Sequence, residues 1–303
     1  MRLCAISVDL DEIPNYFKIH GREAPEKSQT AVYDTAISRL LSLASSETFP
    51  LTLFAVGSDL ARNESSRALA NAYKAGHEIA NHSLDHRYDL TKLSRGEIEE
   101  QISGGADAIE KAVGARPVGF RAPGYVITDD VFSVLRDLDI TYDSSVFPCP
   151  AYNALKAAAI LKIAIEGKTS RSIVDTPAVL LAPTHPYRIG QPYWREGNGL
   201  LEFPIQVTRG LRLPFIGTSI TMAGPDRARW LAKMCVGAPM VNLELHGIDV
   251  LDVDDGLHDL RPHQPDVRIT RERKLESLAA VVGVLRAEGY SFVTLQEAAH
   301  EFS

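Results

Sequence analysis

With 303 residues and 45% hydrophobic content, the chain can bury a large core, as one α/β-barrel-like domain with insertions or as two domains. Its net charge of -7 comes without any basic stretch that would offer a phosphate footprint, which argues against a nucleic-acid binder. No run of about 18 apolar residues appears, so no membrane-spanning helix is expected. Leu3-Cys4-Ala5-Ile6-Ser7-Val8 reads as a buried strand running into Asp9-Leu10-Asp11-Glu12. Apolar runs of this kind suit parallel strands covered on both faces. Acids at a strand's carboxyl end lie where α/β folds place their chemistry, and in extended chain Asp9 and Asp11 point to one side. Glu12 to Thr30, holding Pro14, Tyr16, Phe17, His20, Gly21 and Pro25, is expected as a long loop overhanging that strand end.

Val32, Ala36, Ile37, Leu40, Leu41 and Leu43 have helical spacing and precede a strand at Leu51 to Val56. A helix near Ser65 to Lys74 leads through Gly76 into a short apolar run that delivers His82-Ser83-Leu84-Asp85-His86. Imidazoles at i and i+4 share a face if the segment makes a helical turn, so both can reach one ion. Two neutral imidazoles and a carboxylate leave coordination positions open, the pattern of a hydrolytic metal centre. The chain holds nine histidines, so a pair alone is weak and context must decide.

Ser94-Arg95-Gly96-Glu97 is a capping box opening a helix to about Val113. Val118-Gly119-Phe120 runs into Arg121-Ala122-Pro123-Gly124-Tyr125, a strand end turning through Pro and Gly. A helix near Asp129 to Asp137, a strand at Ile140 to Tyr142, and an unusual segment from Ala151 to Gly199 follow. Leu201 to Ile205 and Val241 to Leu245 read as further strands, the latter leading into His246-Gly247. A helix near Arg271 to Glu288, stopped by Gly289, precedes the strand Ser291 to Thr294. Such alternation means a parallel sheet or barrel.

In this order the motifs resemble those of the polysaccharide deacetylases, the NodB-homology group also called carbohydrate esterase family four. Ser7-Val8-Asp9-Leu10-Asp11 is similar to the first family motif and His82 to His86 to the second. Arg121-Ala122-Pro123 is similar to the third, Leu243 to His246 to the fifth, and Phe54-Ala55-Val56-Gly57 to the family's second strand. The resemblance covers residues 3 to 146 closely and 240 to 298 more loosely. It implies a distorted (β/α) barrel of about seven strands, here a single catalytic domain over 1–303 with an insertion at about 148–199. It further implies metal-dependent removal of an acetyl or formyl group from an amino sugar, with a lipid- or nucleotide-linked sugar as an option. Asp11, His82 and His86 would hold a divalent ion, Asp9 would act as base and His246 as acid. Arg121 would orient Asp9 by a charge-assisted pair, and a backbone N–H near Tyr125 would serve the oxyanion. His-His-Asp ligation suits zinc best, with cobalt, nickel, iron or manganese as alternatives.

Leu10 separates the two acids where the common family form has adjacent aspartates, so their roles could be exchanged, and Glu12 is a third candidate. The Asp–Trp pair of the fourth motif, which tunes the acid histidine, is not identifiable; Asp143 and Asp249 are candidate substitutes. The cytoplasmic deformylase of lipid-linked aminoarabinose is a similar relative with separated acids. An amide outside the sugars, as in allantoinase-like relatives, or a non-catalytic binding protein with a relic site are the other readings.

Ala154 to Ile165 is strongly apolar, with Lys156, Lys162, Lys168, Thr169 and Arg171 as a polar border. Packing against the barrel is the expected role, and resting on a membrane surface beside a lipid-linked sugar the functional alternative. Arg188 and Arg195 could receive a phosphate, Glu202 could sit at the rim, and Tyr16 or Phe17 could stack on a sugar, although local packing is favoured for both aromatics. Asp249, Asp252, Asp254 and Asp255 are expected as a solvated acidic loop, since they lack the pattern of a calcium motif. Cys4, Cys149 and Cys235 are expected as buried thiols. No charged-then-apolar leader precedes the first strand, so the cytoplasm is the expected address, with peripheral membrane contact as an option.

Overall fold

The structure, a computed structural model, describes residues 2–19, 21–165 and 175–302. His20, Lys168, Thr169 and Arg171 therefore lie outside the described residues. The sheet is built around β1 (Arg2–Asp9), every residue of which is buried after the first. Fully burying side chains such as Ile6 and Val8 contributes roughly 1.5–3 kcal/mol each. Strands β2 (Leu51–Ala55), β3 (Glu78–Asn81), β4 (Gly119–Phe120) and β5 (Tyr142–Asp143) extend the sheet on one side. Strand β8 (Met240–His246) flanks β1 on the other, while β9 (Tyr290–Phe292) pairs with the start of β1. Beyond β5 lie β7 (Glu196–Glu202), parallel to it, and β6 (Tyr187–Ile189), antiparallel to β7.

This is an α/β fold with a strongly curled mixed sheet, a half-barrel. The described residues hold nine strands: the strand expected at Leu201 to Ile205 begins earlier, as β7, and pairs in a hairpin with β6, which lies inside the segment read as an insertion. The chain after β7 narrows the barrel's gap: Gln206 N–H donates to Asn242 O at 3.0 Å, and Asn242 Nδ2 donates to Phe203 O and Ser144 Oγ, both at 2.9 Å. Register then does the positioning. Asp9 lies opposite His246 on β8 and Phe54 on β2, and Asn81 opposite Phe120, so several strands end at one rim.

Helix α1 (Ile13–Ile19) replaces part of the expected loop. Ile13, Tyr16 and Phe17 recur at helical spacing and bury one face, and Pro14 is tolerated because it stands in the first turn. Tyr16 and Phe17 are thus core residues rather than a stacking platform. Helix α2 (Ile37–Ser46) is entered through a π-helical turn over Val32–Ala36, whose free Val32 and Tyr33 N–H groups donate to Glu12 at 3.1 and 3.0 Å. Helices α3 (Asn63–Lys74), α4 (Arg95–Val113), with its Ser94–Glu97 capping box, and α5 (Asp129–Asp137) stand near their expected places.

Helix α6 (Pro150–Ile165) packs Ala151 and Tyr152 against a cluster containing Tyr125 and Phe147, while Leu155, Leu161 and Ile165 are exposed. Helices α7 (Gly217–Ala223) and α8 (Pro225–Cys235) fill a stretch for which the sequence raised no expectation. Helices α9 (Arg271–Ala287) and α10 (Leu295–Glu301) close the chain. All three cysteines are free and buried, and among the described residues no helix is long and apolar enough to cross a membrane.

Candidate metal centre and active site

The end of β1 supplies Asp9, and the chain continues extended through Leu10, whose N–H donates to Phe54 O at 3.0 Å, to present Asp11. After β3 the histidine loop is not a helical turn. It bends through left-handed backbone at Ser83 (φ 68°) and His86 (φ 50°), anchored by Ser83 N–H to Asn81 Oδ1 and His86 N–H to Ser83 Oγ. The shared reach expected from a helical face is achieved by this turn instead. Gly105 of α4 is required beneath it, since a Cβ there would lie 2.4 Å from Asn81 Oδ1.

Asp11 receives both rings: its Oδ1 lies 3.2 Å from His82 Nε2 and its Oδ2 3.0 Å from His86 Nε2. His82 Nδ1 lies 2.7 Å from Arg121 O, so that nitrogen carries the proton and Nε2 turns a lone pair toward the carboxylate. Asp11 Oδ1, His82 Nε2 and His86 Nε2 are buried without a hydrogen-bond partner. Leaving such atoms unmatched is costly, and a cation at their meeting point satisfies all of them. Burial disfavours charge on Asp11, yet His86 and His82 outweigh it and hold the carboxyl well below its usual range. The donor set and its orphaned atoms therefore fit a divalent cation.

Arg121, at the end of β4, is fully buried beside this cluster. Its Nη1 donates to Asp9 Oδ1 at 2.7 Å, Nη2 to Ser7 Oγ and Ser144 Oγ at 2.8 Å, and Nε to Ser144 O at 2.7 Å. The guanidinium stacks over Phe54 at 4.1 Å. Asp9 is thereby turned away from the ion-binding point on one oxygen, with the other 3.7 Å from His82 Nε2.

Across the rim, His246 is held differently. Its Nδ1 lies 2.9 Å from Glu244 Oε1, and its Nε2 is 3.2 Å from the Tyr125 hydroxyl. Burial disfavours a charged ring, but Glu244, then Asp11 and Asp9, outweigh it and raise the His246 pKa well above its usual value. The Tyr125 backbone N–H donates to Ala122 O at 3.1 Å, so the group expected to serve the oxyanion already has a partner, while its phenol faces the His246 ring. The structure thus brings Asp9, Asp11, His82, His86, Arg121, Tyr125 and His246 to one rim.

Other expectations resolve into structural roles. Glu12 caps the turn before α2, and burial pushes its carboxyl up to about 7 despite those bonds. Asp143 accepts from Ser145 N–H and Oγ at 2.9 Å, and Asp249 accepts the His246 backbone N–H at 2.8 Å, so neither meets the imidazole. Asp252 accepts from Arg271 N–H and Asp255 pairs with Arg39, which makes the acidic stretch a set of caps and ties. Glu202, the last residue of β7 and opposite Asp143, is fully buried and accepts the Val146 N–H at 2.9 Å, and Arg188 and Arg195 border the β6–β7 hairpin, exposed, with Arg188 Nη1 on Gly199 O at 3.4 Å. Glu244 was missed. The signal was present in β8, because residues two apart on a strand share a face and Glu244 stands two before His246.

The polysaccharide deacetylase profile matches residues 27–142, a span holding His82, His86, Arg121 and Tyr125. A peptidoglycan-N-acetylglucosamine deacetylase of Bacillus cereus is 30% identical over 129 residues, which is 42% of this chain and 55% of that protein. The chain spans about half or less of the length of the curated relatives it matches. Among solved structures, one from Mycobacterium smegmatis described as a polysaccharide deacetylase superposes with a TM-score of 0.59 at 17% identity, covering 99% of this chain and 90% of that one. A family four pseudoenzyme from Bacillus anthracis superposes with a TM-score of 0.54 at 13% identity over 98% of this chain and 65% of its own. Over residues 27–142 the chain is similar to the polysaccharide deacetylase family, the NodB-homology group of carbohydrate esterase family four.

Proposed function

We propose that the protein hydrolyses the N-acyl group, acetyl or formyl, of an amino sugar. The observation that carries this reading is the convergence of Asp11, His82 and His86 with their facing atoms unmatched, beside Asp9 and opposite His246. Zinc is the ion this donor set suits best. Bound there, a divalent ion supplies a Lewis acid for the amide carbonyl and eases loss of a proton from nearby water. Asp9, oriented by Arg121, accepts the proton of the attacking water. His246, held on Nδ1 by Glu244, donates from Nε2 to the departing amine. The Tyr125 hydroxyl is able to accept from the charged ring and to donate to the neutral one, so it supports both states of the acid.

Family four includes a pseudoenzyme; the convergence here of Asp9, Asp11, His82, His86 and His246 supports reading this protein as an active one. A lipid-linked sugar is the narrower substrate proposal: α6 exposes Leu155, Leu161 and Ile165 beside the Tyr125 side of the rim, suited to an apolar chain or the inner membrane face of the cytoplasm. The test is release of acetate or formate from N-acyl amino sugars, with and without chelator. Loss on chelation and recovery with zinc is the expected result. Hydrolysis that survives metal removal, or is unchanged in His82→Ala, overturns the reading.

A further inference from the structure

The side chain that holds His246 comes from neither place where the sequence suggests it. Asp143 is occupied by Ser145, and Asp249 by the His246 backbone. Glu244 is wholly buried on β8, two residues before His246 and therefore on the same face, with Oε1 2.9 Å from His246 Nδ1. Among the described residues, neither Glu244 oxygen has a hydrogen-bond partner apart from this ion pair. We propose that Glu244 is a positioning residue: it fixes the His246 ring through Nδ1–H and so aims Nε2 toward the amine that leaves. This rests on the hydrolytic reading above for its purpose, though not for its geometry.

A rival assignment uses the same atoms. Asp9, Glu244 and His246 offer ligand atoms that lie within 4.8 Å of one another, the spacing of a second cation site. Arg121 decides against it. Its guanidinium is already paired with Asp9 at 2.7 Å and is drawn toward Glu244, so positive charge is provided there without an ion. A second divalent cation would meet that guanidinium across a short, buried distance, where like charges repel strongly.

The groups facing the His246 ring are Glu244 from β8, Asp9 and Asp11 from the end of β1, Tyr125 from the loop after β4 and Tyr16 from α1, whose ring lies 6.2 Å away edge-on. Among these only Glu244 touches Nδ1, so its removal should act on the ring more than any other single change outside the ligand set.

The test uses the zinc-loaded protein with histidines carbon-13 labelled at Cε1, the His246 signal assigned by its loss in His246→Ala. Glu244→Gln is expected to lower the pH at which that signal titrates by at least about one unit. It should leave zinc at one ion per chain, and cut kcat about 30-fold with KM nearly unchanged if the hydrolytic reading holds. Glu244→Asp should restore part of both effects, which a merely space-filling role would not. An unmoved His246 titration in both variants, or two ions per chain of which Glu244→Gln removes one, overturns the proposal. The titration reads out the Glu244–His246 link whether or not an amide is cleaved. A shifted titration in a protein inert toward amides would therefore defeat the hydrolytic reading alone.

Discussion

On one side of the rim Asp11 faces two imidazoles at 3.2 and 3.0 Å; on the other, a single imidazole stands between Glu244 at 2.9 Å and a phenol at 3.2 Å. The residue types are nearly the same, yet the two sides ask for different partners. On the Asp11 side, His82 donates its Nδ1–H to the Arg121 carbonyl, so its free nitrogen, that of His86 and the carboxylate bring lone pairs to one point. A proton can bridge only one such pair at a time, whereas a divalent cation meets all of them. On the Glu244 side every contact of the ring is satisfied by one proton or two. Local geometry, more than composition, separates a place fitted to a divalent cation from a place fitted to a proton.

The sharpest way to break this division is to remove ligands from one side only. Asp11→Asn and His82→Ala should each reduce bound zinc from about one ion to a small fraction per chain and lower turnover by about 1,000-fold or more. Elemental analysis beside a deacylation assay measures both. Zinc retained in Asp11→Asn would dissolve the distinction. The next largest effect concerns the group between the sides. Arg121→Ala leaves the Asp9 carboxylate buried without its cation and strips Ser144 of two bonds, so unfolding in urea should show a loss of about 3–5 kcal/mol. A fall below 1 kcal/mol would mean that solvent reaches Asp9.

A smaller change tests the proton side. Tyr125→Phe removes one hydrogen bond to His246, of the order of 0.5–1.5 kcal/mol, so kcat should fall by a few-fold to about tenfold. Its zinc content should not change. Rates equal to the unsubstituted protein would show that the phenol is a bystander.

How far the sequence anticipated this arrangement follows the same line. The ligand side was legible because its signals are local: an acid pair at a strand end and a histidine pair four apart. The mechanism of their convergence was not, since positive φ at Ser83 and His86 leaves no mark in residues other than glycine. Glu244 was overlooked because a carboxylate inside an apolar strand reads as an outward residue until the strand is known to be covered on both faces. The first long loop was misjudged for a physical reason as well. Pro14 argues for irregular chain, yet at the start of a helix it costs nothing, and the Ile13, Tyr16 and Phe17 spacing then decides. The β6–β7 hairpin stayed hidden because β7 carries two glycines and is largely exposed along its first half.

The smallest expected effect lies below the rim and sharpens the comparison by showing what buried acids look like when they neither bind metal nor move protons in turnover. Asp143 and Glu202 are both fully buried beside Arg121. Burial, followed by the Asp143 charge, raises Glu202 well above the carboxylate range, while Asp143 is raised by burial against the pull of Glu202 and Ser145. Burial therefore disfavours the charged form of both carboxyls, and of Glu202 the more because the Asp143 charge adds to it. The sign for stability follows. A carboxyl raised on folding contributes in full below its ordinary value of 4.5, and that contribution drains away as pH climbs toward the raised value. Glutamine has no proton to lose and retains a donor, so Glu202→Gln should leave Tm unchanged at pH 4 and raise it by a degree or two, about 0.5–1 kcal/mol, at pH 8. A lower Tm at pH 8 would mean that Glu202 is ionised in the fold.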